Sequence, residues 1–364
     1  MNINLTAPIN DLGYGVVGKN TLKYLARSGV EIAYWPIGQP SASDAETANL
    51  IKACMEKRSC FNHLSPSLRI WHQNDMAQHI GSGKRLGFPI FELNRFTDVE
   101  KIHLESLDNI IVCSQWAKKI VEEEVPSMKY KIGIAPLGVD REIFYPTKNN
   151  NKEKTVFLNV GKWEVRKGHD ILIEAFNSAF EKKDNVELWM MNHNPFLNEE
   201  QEREWLSLYL NSKLGSKIKI IHRAQTHEEV AAIMNQADVG VFPSRAEGWN
   251  LEALEMMSLG KEVILTGYSA HTEFANESNS RIIDIDETED AYDGIWFHGQ
   301  GEWAHMGEPQ FDQLVENMIR THKEKSQTPS MEIKNKEGII TAKKFSWENF
   351  SNKIISFCGM MKGF

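Results

Sequence analysis

The sequence predicts an α/β protein with two domains, each built on a parallel sheet covered by helices. The chain has 364 residues, more than one hydrophobic core usually supports. Apolar runs typical of buried strands alternate with amphipathic helical patterns up to residue 147 and again from residue 155. Between them lies a polar stretch, Pro146 to Lys154, which suits a linker. We therefore expect domains over residues 1–147 and 155–340.

Composition limits the class of protein. The chain is 41% hydrophobic and 25% charged, as in soluble globular proteins, and has no apolar run long enough for membrane insertion. The N-terminal MNINLTAPIND is typical of a first strand, not of a signal peptide, and predicts a cytoplasmic protein. Four irregularly spaced cysteines predict free thiols and no zinc site. A net charge of −9 argues against general attraction to nucleic acid or anionic lipid, and nothing indicates the oligomeric state.

A glycine-rich segment follows the first predicted strand, residues 2–6. Gly13 to Gly18 has the form G-x-G-x-x-G and precedes an amphipathic helix over 19–28. A dinucleotide fingerprint needs a tight turn after the strand and an acid after the next one, and both are missing. We predict a glycine-rich loop, in which Gly13 and Gly15 either contact a ligand or only form a turn.

Polar residues follow two further strands of the first domain. His72 comes after the strand 68–71, and Glu92 after the strand 87–91. Ligands of α/β sheets bind beyond the carboxyl ends of strands, so both are candidates for contact with a ligand. The alternative for His72, a purely structural role, is the more common one for a single histidine. Strands are also predicted over 109–113 and 132–136.

A cationic loop opens the second domain. It follows the strand 156–160, carries Lys162, Arg166 and Lys167 after Gly161, and leads into a helix over 170–180. Three cations between two glycines are more than a loop that only faces solvent requires. This clustering therefore favours a phosphate-binding role. Further strands are predicted over 186–191 and 217–221, flanking a helix over 199–213.

The segment 237–265, ADVGVFPSRAEGWNLEALEMMSLGKEVIL, predicts a strand over 239–242, a loop, a helix from about Asn250 to Leu259, and a strand over 262–265. Glu247 lies in the loop and Glu255 in the helix. The N-terminus of a helix favours a phosphate. A nucleotide-diphosphate sugar therefore fits, with its phosphates at the helix end and its ribose and sugar hydroxyls on the two carboxylates. We expect Lys167 and Glu255 to contact this donor without supporting the core.

The stretch EGWNLEALE resembles the E-x7-E element of retaining glycosyltransferases of family four, which have the GT-B fold. The flanking ADVGVFPS and LGKEVILTGYSAHTEF extend the similarity. The resemblance implies two Rossmann-like domains facing across a cleft, and a C-terminal helix within 341–364 that crosses back to the first domain. It implies that Glu255 holds the ribose and Glu247 the transferred sugar, with further donor contacts from Gly248, Trp249, Asn250 and Leu251. Asn250 stands where a glycine is common.

The cationic loop and the glycine-rich segment share this resemblance. Lys167 matches a family lysine that holds the diphosphate, whereas Lys162 replaces an arginine and lacks its bidentate fork. Arg166 would compensate. The segment from Gly13 to Gly15 is similar to one near the donor phosphates and the acceptor. The resemblance also implies a reaction that needs no metal or other cofactor.

The sequence thus predicts a retaining glycosyltransferase that moves a sugar from a nucleotide-diphosphate sugar to a hydroxyl of a glycan, a lipid-linked glycan or a similar acceptor. Three alternatives stay open: transfer to a hydroxymethylated DNA base, a GT-B epimerase or phosphorylase reaction, and a non-catalytic module that binds nucleotide sugars. Nothing in the sequence selects the donor base, the sugar or the acceptor.

Two C-terminal regions complete the chain. Residues 281–308 combine acidic and aromatic side chains, and we expect a packed surface loop there rather than a metal site. An apolar stripe from Trp347 to Phe357 predicts a final helix that packs on the first domain.

Overall fold

The computed structural model describes residues 1–147, 154–327 and 335–359, so most of the predicted linker lies outside the described residues. The chain divides into two compact units. The first comprises Met1–Gly138 and the described residues from Phe345 onward, and the second comprises the described residues of Val139–Lys344. None of the described helices is both long enough and apolar enough to cross a membrane.

The first unit is a six-stranded parallel sheet in the order β2-β1-β3-β4-β5-β6, with helices between the strands. Its elements before residue 138 are β1 (Asn2–Ala7), α1 (Gly13–Arg27), β2 (Glu31–Pro36), α2 (Ala45–Glu56), β3 (Ser67–Trp71), β4 (Arg85–Pro89), α3 (Asp98–Glu105), β5 (Asn109–Val112), α4 (Gln115–Glu124) and β6 (Ile132–Ile134).

The second unit repeats this plan with a parallel sheet in the order β12-β11-β10-β7-β8-β9. Its elements are β7 (Thr155–Gly161), α5 (His169–Ala179), β8 (Val186–Asn192), α6 (Glu199–Leu210), β9 (Ile218–Ile220), α7 (His227–Gln236), β10 (Val239–Phe242), α8 (Leu251–Ser258), β11 (Glu262–Thr266), β12 (Arg281–Ile283), β13 (Thr288–Tyr292), β14 (His298–Ala304), α9 (Glu308–Gln327) and α10 (Lys336–Lys344).

Parallel strands with helices on both faces are buried on both sides, which explains why they are continuous apolar runs in the sequence. In the second unit, β10 and its neighbour β7 lie in the middle of the sheet. Phe157, Val239 and Val241 belong to its main hydrophobic core. The loops that follow these two strands therefore rest on the best-packed part of the unit.

The units divide at Gly138, nine residues before the predicted end of the first domain at 147. The segment after Gly138 is held by second-unit helices. Ser258 Oγ donates to the carbonyl of Phe144 at 2.6 Å, and the Thr147 N–H donates to Asn235 Oδ1 at 3.0 Å. These hydrogen bonds attach residues 139–147 to the second unit.

The last helix, α11 (Trp347–Phe357), belongs to the first unit. Its N-cap is Ser346, whose hydroxyl accepts from the Asn349 N–H at 3.1 Å. The Phe350 ring meets that of Phe88 edge-on with centroids 5.4 Å apart, and α11 packs against α1. The chain thus returns to its N-terminal sheet through the apolar stripe visible in the sequence.

The predicted glycine-rich loop is wrong, because α1 begins at Gly13 and includes the whole segment to Gly18. The glycines serve close packing. A Cβ at Gly15 would lie 2.1 Å from Asn10 Oδ1, and one at Gly18 would lie 2.0 Å from the Pro8 carbonyl. The first turns of α1 can approach the end of the preceding loop only without side chains at these positions.

The predicted surface loop over 281–308 is also wrong, because it contains β12 and an antiparallel hairpin of β13 and β14. The Asp293 carboxylate closes the hairpin turn by accepting from three consecutive N–H groups, those of residues 295–297. Ala291 of β13 and Trp303 of β14 are buried. The strands were missed because polar residues and a bulge between Asp290 and Tyr292 disturb their alternation.

Candidate active site

The loops after β7 and β10 meet through a buried carboxylate, Glu247. Its Oε1 accepts from Lys167 Nζ at 2.9 Å and from Ser244 Oγ at 2.8 Å, and its Oε2 accepts from Arg166 Nη1 at 2.9 Å. Burial opposes ionisation of Glu247, but Lys167 and Arg166 outweigh it and hold the pKa of this carboxyl well below its ordinary value. Glu247 is therefore a fixed negative charge.

Arg166 joins Glu247 to a second buried carboxylate. Its Nη2 donates to Glu164 Oε2 at 2.6 Å, and its Nη1 also donates to the carbonyl of Ala246 at 2.7 Å. Burial raises the pKa of Glu164, yet Arg166 and Lys162 lower it overall to about 2. The guanidinium of Arg166 thus holds the two loops together.

The two lysines of the cationic loop differ in exposure. Lys162 Nζ pairs with Glu164 Oε1 at 2.7 Å, and its side chain is 36% exposed. The Lys167 side chain is only 11% exposed and lies across Gly161, where a Cβ would be 3.2 Å from Lys167 Cδ. Gly161 also has φ +150°, which suits glycine. The expectation that Lys167 does not support the core is therefore wrong.

His169, the first residue of α5, fixes the cationic loop through buried hydrogen bonds. Its Nδ1 accepts from the Glu164 N–H at 3.1 Å, so Nε2 carries the hydrogen and donates to Asn159 Oδ1 at 2.9 Å. Burial and then the nearby Lys167 lower the pKa of His169 to about 3. This histidine is a neutral structural support.

Asn250 caps helix α8 with a left-handed backbone, φ +78°. Its Oδ1 accepts from the Ala253 N–H at 3.1 Å, and its Nδ2 donates to His271 Nε2 at 2.9 Å. Burial is the main cause that lowers the pKa of His271 to about 4, so this partner is neutral. Asparagine tolerates the left-handed region, which explains why it can stand where glycine is common.

Glu255, in the second turn of α8, is buried but has no hydrogen bond or ion pair to any side chain in the described part of the chain. Burial, Glu252 and Asp140, in that order, raise its pKa well above the ordinary value. All three causes favour the protonated form of this carboxyl. Glu255 is nevertheless buried, and whether it supports the core, as the sequence analysis did not expect, stays a prediction for its variants.

The remaining residues predicted between the two glutamates lie in the same loop and helix start. Gly248 and Trp249 are buried, and the Trp249 ring lies 5.3 Å from that of Phe274. Leu251, the first residue of α8, is half-buried. Trp249 therefore contributes to the core as well as to the loop.

Sequence reasoning missed the supports around Glu247. Ser244 donates to its carboxylate, and Ser269 Oγ accepts from its N–H at 2.8 Å. Ser269 has φ +52°, an uncommon value for a residue other than glycine. Both serines, and His271, lie within the quoted stretches ADVGVFPS and LGKEVILTGYSAHTEF, but no spacing rule distinguishes them from ordinary loop residues.

In the first unit, His72 and Glu92 follow neighbouring strands β3 and β4. The ring of Tyr14, in the first turn of α1, lies 4.6 Å from that of His72 and 5.2 Å from that of Trp71. Glu92 is half-buried, and Gly13 is exposed with open space around its Cβ position. Tyr14 is a further residue that the sequence analysis did not select.

Two acidic residues of the hairpin region, Asp286 and Glu289, form hydrogen bonds within the protein. Glu289 accepts from Trp303 Nε1 at 3.1 Å and from Arg245 Nε at 3.4 Å. Asp286 accepts from Gln310 Nε2 at 2.8 Å. These two acidic side chains therefore help to pack the region 281–308 against Arg245 and α9.

Comparison with known proteins relates the second unit to one family. Residues 140–295 match the family model described as glycosyl transferases group 1. Mannosylfructose-phosphate synthase from Agrobacterium fabrum is 22% identical over 280 residues, which is 71% of this chain and 59% of that protein. The chain thus spans less than two thirds of this curated relative.

Solved structures resemble the chain over nearly its whole length. Sucrose-phosphate synthase from Thermosynechococcus elongatus has a TM-score of 0.71 at 16% identity, covering 98% of both chains. The Anabaena protein HepE, solved in complex with UDP-glucose, has a TM-score of 0.69 at 12% identity, covering 99% of this chain and 100% of HepE. Similarity at such low identity concerns the fold. The chain thus has the GT-B fold of these structures, and its residues 140–295 match the glycosyl transferases group 1 model.

Proposed function

We propose that the protein transfers a sugar from a nucleotide-diphosphate sugar to an acceptor hydroxyl, and that its second unit binds this donor. The observation that carries the proposal is the buried carboxyl of Glu255, which has no side-chain partner in the described part of the chain, in a helix that directly follows the charged Glu247 network. The Glu255 residue is 8% exposed, so its carboxyl is shielded from most water and gains from donors that a ligand supplies. A ribose diol, which can donate two hydrogen bonds to one carboxyl, would satisfy it.

The diphosphate would bind the cationic loop and the start of α8. Lys162 is exposed enough to leave Glu164 and turn to a phosphate, while Lys167 keeps its positive charge beside Glu247. The N–H groups of Leu251 and Glu252 at the start of α8, ahead of the Ala253 N–H that Asn250 caps, add partial positive charge. Cations fixed in advance stabilise the negative charge that develops on a departing diphosphate.

Glu247 would accept hydrogen bonds from hydroxyls of the transferred sugar. Three donors already hold its carboxylate, so it is charged and rigid before any ligand arrives. Arg166 would act indirectly by fixing Glu247 and Glu164. The backbone at Gly248, next to Glu247 in the same buried loop, would lie beside the sugar.

Retention of the anomeric configuration and independence of an added metal complete the proposal. Glu247 and Glu164 are too weakly basic to take the proton of an acceptor, because ion pairs lower their pKa values. The departing phosphate, held by Lys162 and Lys167, can take this proton on the face that it leaves. The same two lysines supply the positive charge that a metal ion supplies in other transferases.

The first unit would bind the acceptor, with His72 and Glu92 beyond the ends of β3 and β4 as contacts. The acceptor class is a glycan, a lipid-linked glycan or a similar hydroxyl compound. Hydroxymethylated DNA is the alternative acceptor.

The test is mass spectrometry of donor turnover over a panel of nucleotide sugars, with saccharide, lipid-linked and hydroxymethylated DNA acceptors. The proposal predicts release of the nucleotide diphosphate together with an acceptor heavier by one sugar. Free sugar or isomerised donor without an acceptor would indicate an epimerase, and a need for inorganic phosphate would indicate a phosphorylase. Tight donor binding without turnover would indicate a binding module.

A further inference from the structure

Tyr14 lies where the glycine-rich segment enters α1, at the carboxyl edge of the first sheet. Its ring belongs to a group of three aromatic side chains with Trp71 and His72, whose own rings lie 4.8 Å apart. Its hydroxyl reaches the Ile90 carbonyl and lies 3.3 Å from His72 Nδ1. One hydroxyl group thus connects the ends of β3 and β4.

A tyrosine hydroxyl has one hydrogen to donate, and here its position follows from its neighbours. The Ile90 carbonyl has no hydrogen, and two oxygen atoms within hydrogen-bonding distance repel each other unless a hydrogen lies between them. The hydrogen of Tyr14 must therefore point to Ile90. Burial and the nearby Glu92 raise the pKa of Tyr14, so the hydroxyl keeps this hydrogen over the physiological range.

The oxygen of Tyr14 can consequently only accept from His72. We propose that Tyr14 is a positioning residue that fixes His72 in the tautomer with hydrogen on Nδ1, so that Nε2 carries the lone pair. The hydrogen bond made by one imidazole nitrogen sets the state of the other. The packing of His72 against the rings of Tyr14 and Trp71 restricts its rotation as well.

The fixed tautomer gives the end of β3 a hydrogen-bond acceptor in place of a donor. The ligand class that suits it is a hydroxyl group, which has a hydrogen to donate to Nε2, and this assignment rests on the proposed sugar transfer. A carbonyl or phosphate oxygen would instead need an N–H at that position. The tautomer itself belongs to the protein without ligand and can be measured whether or not sugar transfer is found.

The experiment is a long-range ¹H–¹⁵N correlation spectrum of the full chain labelled with [¹⁵N]histidine, at about pH 8, where ordinary imidazoles are neutral. His72 is one of 12 histidines, and its signals are identified by their loss in His72→Gln. Tyr14→Phe keeps the ring and removes the hydroxyl. Tyr24→Phe, in the same helix, is the matched control.

We expect His72 of the wild-type protein and of Tyr24→Phe to carry its hydrogen on Nδ1, and the Nδ1–H fraction to fall in Tyr14→Phe. A wild-type spectrum with the hydrogen on Nε2 would overturn the proposal, and this observation does not depend on any variant folding. An unchanged His72 signal in a folded Tyr14→Phe would overturn it too. Failure of the transfer assay with the expected spectra would refute the proposed function and leave the tautomer standing.

Discussion

Lys167 and Glu247 form a buried ion pair, with 2.9 Å between Nζ and Oε1, that joins the loops following the two central strands of the second unit. The pair serves the fold and the proposed chemistry together. Removal of either partner leaves charge without its counterpart in a buried site, which costs about 3 to 5 kcal/mol.

We expect Lys167→Met to lower the free energy of unfolding by about 3 kcal/mol and to slow sugar transfer at least about tenfold. Urea denaturation and initial rates measure the two effects. In a double-mutant cycle with Glu247→Gln, the coupling should exceed that of the exposed pair Lys119 and Glu123, which is worth at most about 0.5 kcal/mol. Equal coupling in the two cycles would show that the buried pair has no special importance.

The variant Lys162→Ala should lower the rate of transfer without lowering the stability of the protein. Because its side chain is 36% exposed and its partner Glu164 keeps Arg166, Lys162→Ala should leave the melting temperature nearly unchanged. The loss of one cation at the diphosphate should lower the rate of transfer about tenfold or more. Lys213→Ala, which removes a half-exposed lysine elsewhere in the unit, is the control. If both variants have the wild-type rate, Lys162 does not contact the donor.

Glu255 should make stability depend on pH. Its pKa in the folded protein lies above the ordinary 4.5, so the folded state binds more protons than the unfolded state above that pH. The stabilisation linked to this proton is complete below pH 4.5 and is lost as the pH rises through the folded-state pKa. Glutamine cannot ionise, so Glu255→Gln should gain stability relative to wild type as the pH rises.

Urea denaturation of wild type and Glu255→Gln at about pH 5 and about pH 8 measures this difference. Glu174→Gln, at an exposed position of α5, should show no such trend. A difference between wild type and Glu255→Gln that stays constant over this range would mean that Glu255 ionises normally.

Asn250 should tolerate glycine better than alanine. Both changes remove the cap of α8 and the hydrogen bond to His271, but only alanine also disfavours φ +78°. We expect Asn250→Ala to be less stable than Asn250→Gly by about 1 kcal/mol, measured by urea denaturation. The reverse order would mean that the backbone at residue 250 is not left-handed in solution.

The sheets could be predicted because buried parallel strands are apolar runs that end in polar residues, as at Val239–Phe242. Helix α3 was missed because it is too short to show a clear helical repeat of apolar residues. Thr97 and Glu100 form a capping box at its start, which is a signal that the sequence does display. The start of α1 was misplaced because glycines that allow close packing look like glycines of a loop. Local patterns therefore predicted the sheets better than the contacts of the helices.

At the candidate site, charge and spacing selected Glu247, Lys167 and Lys162, which the structure joins in one network. The same reasoning could not show that Arg166 lies between two carboxylates, because this depends on β7 and β10 being neighbours in the sheet. These strands are far apart in the sequence: Asn159 of β7 donates to the carbonyl of Val241 of β10 across a separation of 82 residues. Nor could it show the relation of Tyr14 to His72, because that contact joins the ends of different strands.

The most direct test of the proposed function is ¹H NMR of a reaction that contains an α-linked nucleotide sugar, an acceptor found in the turnover panel, and a metal chelator. The account predicts equal amounts of nucleotide diphosphate and of a product whose new linkage has the α configuration. A β-linked product, or activity that the chelator abolishes and magnesium or manganese restores, would contradict it.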